Sequence, residues 1–593
     1  MKKTMKKCLT LLLAVAMLLA MAVPAAAEET TEHKQTVTFT EVAPGDTVKA
    51  YRVMEYGKDY NSYVYDEGFK HAMLLAYGGE ENFDQHFADF KNFPEALMGC
   101  LTIYVTSVLN GTLKSKDGTI TYQLPTVFVE GTADGKGKAA LELDPGYYLF
   151  LVETTLENSK VYSPVTAFVQ VKNGEVKIYA GYNSADITES KEVAVKHQAG
   201  PTIETKVWDD DAGTEAWKDT AAGSVGEAME FYTYLTIPAY KGVTDMTTLE
   251  LVNTLTNLKY VENSATVYKT TADGTANVEN ALIEVVPVTG ANGQQTVTFK
   301  LKYNTGNSGS AINLRNDDGS VGVYIRYKAE VQPAAAEKGV NATDSAVLRY
   351  ATSLESTKVK TAEAAANTVY TYAFSLAKHS DTLVDKNDTT KGHEPLSNAA
   401  FSVYDKDKNA AIQMVKETPA AGEVYYRPAA AGETGTVTEL PANQGAGKNT
   451  LLVRGLDVKE YTVAEVKTPS GFYAPKGDFK VVLEGERDAA MGTLSENLKN
   501  TSTFTHKADA DKDLINGAAV LHDGDLSRLD ASLKNSSSPV LPTTGGVGTV
   551  MFTVIGLLCM GAALWFFLFA RRRREDEQEQ NKTTLELAIL LIF

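Results

Sequence analysis

Cysteine is nearly absent. The 593 residues hold three, Cys8, Cys100 and Cys559. Cys8 and Cys559 belong to the two apolar ends of the chain. The long region between them keeps Cys100 alone, which reads as a small core residue, so no intrachain disulfide can form there. Histidine is also sparse, with eight in the chain, and no two stand at metal-ligand spacing on one element. No His-Glu-x-x-His, no Gly-x-Ser-x-Gly and no phosphate-cradling glycine loop occurs, which removes the enzyme classes those motifs define. Asp509-x-Asp511-x-Asp513 opens with calcium-loop spacing. Leu514 then stands where the turn glycine belongs and Val520 where the bidentate glutamate belongs, so an EF-hand is excluded. That run and Asp209-Asp210-Asp211 read as solvated acidic loops, with a loose calcium site left open at either. No cofactor, no metal site and no enzymatic turnover are expected. Positive charge is short as well: 57 basic residues face 75 acidic ones, for a net charge of −18. Such a chain repels nucleic acid phosphates.

The two ends carry export signals. Lys2, Lys3, Lys6 and Lys7 precede an apolar run from Leu9 to Val23. Ala25-Ala26-Ala27 supplies a small-x-small site, so residues 1–27 read as a signal peptide cleaved before Glu28. Near the other end, Leu541-Pro542-Thr543-Thr544-Gly545 precedes an uncharged span, Val547 to Ala570. That span is long enough to cross a hydrocarbon core of about 30 Å as a helix. Arg571 to Arg574 follow and would stay cytoplasmic. The order of motif, span and basic tail over residues 541–593 resembles the cell-wall sorting signal of Gram-positive surface proteins. The resemblance implies a sortase substrate, cleaved between Thr544 and Gly545 and joined through the Thr544 carboxyl to an amine. It also implies an extracellular location on a Gram-positive cell wall, with a precursor transiently held in the membrane. The apolar residues 587–593 are too short to span and find no role.

Between these ends the chain reads as β. Tyrosine, threonine and valine recur with period two in Thr36 to Phe39, Val165 to Val171 and Val297 to Tyr303. Gly/Asn/Asp clusters punctuate them. Residues 67–97 are the exception and predict one or two short helices. The expected fold is all-β, with tandem Ig-like antiparallel sandwiches, a minor helix in the first domain and one C-terminal transmembrane helix. Composition shifts place domains at 28–199, 200–362 and 363–538. Ala420 to Gly447, rich in Ala, Gly and Thr, reads as a surface insertion in the third.

Charged side chains interrupt apolar strand faces. Lys378 shares a face with Tyr370, Tyr372, Phe374 and Leu376. Glu465 follows Tyr461 and Val463 on another, and Asn535 follows Leu529, Ala531 and Leu533 on a third. A buried lysine is costly unless paired or neutral. Burial lowers an amine pKa and raises a carboxyl pKa, and a neutral amine is a nucleophile. Beside a protonated glutamate it can attack an asparagine amide and expel ammonia. Asn497 or Asn500 replaces Asn535 if the last strand lies earlier.

These residues resemble the CnaB-type modules of Gram-positive pilins, in which a first-strand lysine bonds a last-strand asparagine and a central glutamate catalyses. Lys378, Asn535 and Glu465 fall in those places. The middle domain resembles the CnaA-like domain of major pilins, with Lys206 where the bonding lysine belongs. Asn253 stands in the acid-like position and Asp344 in the amide-like one. The two are either swapped in role, or Asp344 is itself the acceptor with loss of water. In the first domain Glu153 occupies the glutamate place and Lys49 is a possible partner, with no asparagine acceptor. Lys196, between the first and middle domains, resembles a pilin-motif lysine stripped of its Tyr-Pro, and Lys191 is its substitute.

The resemblance covers nearly the whole chain and implies the structural backbone subunit of a covalent pilus that supports adhesion. Thr544 of one copy would join Lys196 of the next. Implied partners are pilus-type and housekeeping sortases, identical subunits and peptidoglycan, with accessory pilins and host ligands left open. The alternative is a non-polymerised, wall-anchored adhesin or pilus-tip protein.

Overall fold

The computed structural model describes residues 33–56, 63–76, 104, 107–108, 113–115, 117–155, 159–172, 175–181, 188–211, 215–240, 246–271, 274–277, 282–290, 293–301, 320–355, 358–507, 514–515, 519–537 and 547–590. The signal peptide, Cys100, the Asp509 run, the sorting motif and any second helix before residue 97 lie outside them. The chain divides into two compact units, Met1–Tyr370 with Arg487–Leu494, and Thr371–Glu486 with Ser495–Phe593. Strands dominate both, as the period-two patterns predict.

The first unit contains two β bodies. In the N-terminal one, a three-stranded sheet built on Gln35–Thr40 faces a seven-stranded sheet. Phe39 and Phe150 meet between them with ring centroids 4.6 Å apart. The strand Gly146–Glu153 is buried along nearly its whole length. Tyr148, Phe150 and Val152 enter the core between the sheets. Tyr147, Leu149 and Leu151 meet the helix Glu67–Ala76 on the other face. Two covered faces explain why this strand reads as a continuous apolar run. Asp66 starts the helix by accepting from the Phe69 N–H at 3.0 Å, an N-cap.

The second body of this unit is a sandwich of two seven-stranded sheets. Its strands alternate strictly: Met246–Thr256 and Ala342–Thr352 bury every second residue along most of their length. Phe231, Tyr327, Phe299 and Tyr260 pack between the sheets. The strand Asn367–Tyr370 closes one sheet, pairing in parallel with Thr220–Ala222.

In the second unit a seven-stranded sheet packs on a five-stranded one. Phe374 and Phe504 meet across the interior at 6.2 Å. The pairing that matters for the site is parallel. The strand Tyr372–Leu383 lies beside the strand Asp525–Asn535, with Lys378 opposite Leu533 and Ser380 opposite Asn535. The Ala420–Gly447 segment is more than a surface insertion. It supplies the strand Tyr425–Pro428, buried at all four residues. There Arg427 binds Glu433 through two guanidinium nitrogens, at 2.7 and 2.6 Å.

One helix, Val547–Leu590, is long and apolar enough over part of its length to cross a membrane. It contains the expected 547–570 span and runs on through the four arginines. Leu587 to Leu590 form its last turn, while 591–593 lie outside the described residues.

Candidate crosslinking site and surface anchor

The strand Glu460–Lys467 lies in the five-stranded sheet, opposite the sheet that carries Lys378 and Asn535. The three side chains that period two places on inward faces meet between the sheets. Lys378 Nζ lies 2.9 Å from Glu465 Oε2 and donates to Asn535 Oδ1 at 2.5 Å. Asn535 Nδ2 donates to Glu465 Oε1 at 2.7 Å. Each group thus touches the other two. Side-chain exposure is 0% for Lys378 and 2% for Glu465, and Asn535 is equally buried. The Phe401 ring lies 5.9 Å from the ammonium. Ion pair and amide are therefore withdrawn from water, where a proton passing from ammonium to carboxylate removes two buried charges at once. That exchange leaves a neutral amine against an amide carbonyl. Asn497 is half-buried and Asn500 exposed, and neither stands in this triangle.

The middle body brings Asn253 and Asp344 together as the sequence suggests, but without Lys206. Asn253 Nδ2 donates to Asp344 Oδ1 at 2.8 Å, and the Tyr327 hydroxyl donates to Asp344 Oδ2 at 2.7 Å. Burial pushes the Asp344 carboxyl up to about 6, against the lowering effect of its hydrogen bonds from Asn253, Tyr327 and Asn367. The inward residues of the strand Thr202–Asp209 are Thr205, Val207 and Asp209. Lys206 points the other way, to Asp219 at 2.6 Å and Glu204 at 3.0 Å. The phase of the strand thus corrects the expected lysine. The Asp209 loop is corrected too. Asp209 is buried and, with Asp211, holds the Arg487 guanidinium instead of facing solvent.

In the N-terminal body Glu153 pairs with Lys49 and, at 2.7 Å, with Lys358. Lys358 first and Lys49 second hold the Glu153 carboxyl below the usual carboxylate range. Sequence reasoning passed over a neighbouring pair. Glu355 accepts from the Thr154 N–H at 2.7 Å and hydroxyl at 2.8 Å, and it binds Lys360 at 3.0 Å. Both lie in the Ala/Lys/Glu/Thr segment Glu355 to Asn367, whose composition marks the boundary placed at 362.

Lys196 is exposed, between the short strands Glu192–Ala194 and His197–Gln198. Its carbonyl accepts from the Ser163 N–H at 3.0 Å, which ties the backbone at that point to the body. Lys191 is exposed as well, and its carbonyl accepts from Thr38 at 2.8 Å.

Residues 533–577 match the family model of the LPXTG cell wall anchor motif. With the long apolar helix behind that motif, the chain is a cell-wall-anchored surface protein of a Gram-positive bacterium. Comparison with curated proteins gives no match. Among solved structures, the chain is similar to a backbone pilin of serotype M6 Streptococcus pyogenes, at 16% identity and a TM-score of 0.45, covering 85% of this chain and 98% of that one. It is similar to the full-length major pilin SpaD of Corynebacterium diphtheriae, at 14% identity and a TM-score of 0.40, with 85% and 98% covered. It is also similar to BcpA, the major pilin subunit of Bacillus cereus, at 13% identity and a TM-score of 0.37, with 85% and 100% covered.

Proposed function

We propose that the chain is the structural backbone subunit of a sortase-polymerised pilus, stiffened by an internal isopeptide bond. The observation that carries this reading is the closed contact triangle of Lys378, Glu465 and Asn535. In the reaction, Lys378 passes a proton to Glu465 and its neutral nitrogen attacks Asn535 Cγ. The Nζ–Cγ bond forms and the Cγ–Nδ2 bond breaks. Nζ gives up its second proton, which Glu465 relays to Nδ2, so that Nδ2 leaves as ammonia and Glu465 ends protonated. The product is a neutral amide that ties the first strand of the second unit to its last. The step occurs once per molecule, so it is maturation and not turnover.

Polymerisation uses the sorting motif and the lysine between the first and middle domains. A pilus-type sortase cleaves Thr544–Gly545 and holds the Thr544 acyl group. Lys196 of another copy takes it, and a housekeeping sortase passes the last subunit to peptidoglycan. The anchor match and the exposure of Lys196 support this assignment. Co-expression with a pilus-type sortase is expected to give a ladder of covalent oligomers that Lys196→Ala abolishes. A single anchored species from the unmutated chain would instead favour the adhesin reading, with host ligands as its partners.

A further inference from the structure

Lys378 is held by its backbone as well as by its side chain. The Lys378 N–H donates to the Asn449 carbonyl at 2.8 Å, and the Asn449 side-chain amide donates back to the Lys378 carbonyl at 2.7 Å. The neighbouring strand, Thr450–Leu456, begins one residue beyond Asn449, with Thr450 opposite Ala377. Backbone pairing with that strand ends at Lys378, whose N–H makes its last bond, while on the other edge the strand Asp525–Asn535 pairs on as far as Ser380. The chain turns away there, with Lys448 at φ +49° and Gly445 at φ +72°. A side-chain amide makes the next rung that a continuing strand would have made. A β-carbon at Gly447 would stand 2.6 Å from Asn449 Oδ1, so the turn admits the Asn449 side chain only with glycine there. Asn449 is buried and its side-chain hydrogen bond to the Lys378 carbonyl lies out of water. The Leu396 N–H reaches the same carbonyl at 2.9 Å from the other direction.

We infer that Asn449 is a positioning residue for the Lys378–Asn535 condensation, fixing the peptide plane from which the amine is aimed. The inference rests on the crosslink proposed above. Asn449 acts through the Lys378 backbone. It adds a hydrogen bond to the Lys378 carbonyl where the Thr450–Leu456 strand ends, and small losses of alignment cost rate steeply.

The test is a pulse-chase on the full chain expressed in a Gram-positive host. Samples are quenched in denaturant at intervals, and the branched peptide joining Lys378 to Asn535 is quantified by mass spectrometry. Asn449→Ala is expected to slow its formation about fivefold, in line with the loss of one buried hydrogen bond. Melting is compared for Glu465→Gln and for Glu465→Gln with Asn449→Ala, where no crosslink forms. The two should melt within a few degrees of each other. Equal rates for Asn449→Ala and the unmutated chain would overturn the inference. So would a slow rate accompanied by a large drop in melting in the uncrosslinked pair, because that would mark a folding role only. Absence of the branched peptide from the unmutated chain would instead sink the crosslink itself.

Discussion

Asn253 donates its side-chain amide to Asp344 in the centre of the middle body, at 2.8 Å. The arrangement matches the contact between Asn535 and Glu465 in kind, but the groups that perturb Asp344 are Asn253, Tyr327 and Asn367, and no amine stands among them. One sandwich therefore holds an acid, an amide and an amine, and the other holds an acid, an amide and a phenol. Only the first set contains an amine, so on the proposed chemistry only it would condense. Peptide mapping of the mature protein should recover Lys206, Asn253 and Asp344 in linear peptides of unmodified mass. A branched peptide containing Lys206 would contradict this.

The same contact predicts an unusual pH response. Asp344 carries a folded-state value of about 6, above its ordinary 3.8, because burial disfavours its charge. The folded state therefore binds the proton more tightly than the unfolded chain does. Its contribution to stability is fully present below about pH 4, declines between 4 and 6, and is lost above 6. The change is on the order of 3 kcal/mol. Asp344→Asn should flatten this component. Calorimetry of the two proteins from pH 4 to 7.5 should show the unmutated chain losing stability relative to the variant as pH rises. A constant difference would refute the prediction.

Glu465→Gln should leave the protein heavier by one ammonia and its second unit much less stable. The proposed bond would close a loop of 157 residues, for which the chain-entropy model gives roughly 5 kcal/mol. For a unit of this size that corresponds to a melting temperature lower by roughly 10–20 °C. Intact mass and calorimetry on the same sample check both halves.

Glu355→Gln tests the ion pair in the segment that reads as a domain boundary. The amide keeps an acceptor for Thr154 but removes the charge facing Lys360, which is 4% exposed. A buried ammonium left without its counter-ion costs about 3 kcal/mol. Denaturant unfolding of the first unit should shift accordingly, while the Lys378 crosslink is unaffected.

Arg427→Lys should destabilise the second unit by about 2 kcal/mol, because an ammonium cannot reproduce the paired guanidinium contacts to Glu433. Denaturant unfolding checks this. A change within the error of the measurement would restore the view of Ala420–Gly447 as a surface insertion.

Alternation along strands made much of this legible. Lys378, Glu465 and Asn535 each follow a run of apolar residues at period two, and each proves to be inward. Asn253 and Asp344 were readable for the same reason. Lys206 misled because the position along the strand suits a bonding lysine while the phase does not: Thr205 and Val207 take the buried face. Asn449 left no trace, since a side chain that completes a ladder from a turn has no period. The buried Arg427 strand hid inside a run of Ala, Gly and Thr, where composition outweighed its two tyrosines. Glu355 and Lys360 were missed in the same way, because ion pairs that fasten a segment look in sequence like the mixed charges of a domain boundary.

The most direct measurement is mass mapping of fibres released from the cell wall by hydrolase. The account predicts a branched peptide in which the Thr544 carboxyl is joined to the Lys196 amine, at a yield approaching one per subunit. Wall-released material containing only single chains, with the Lys196 amine unmodified, would contradict it.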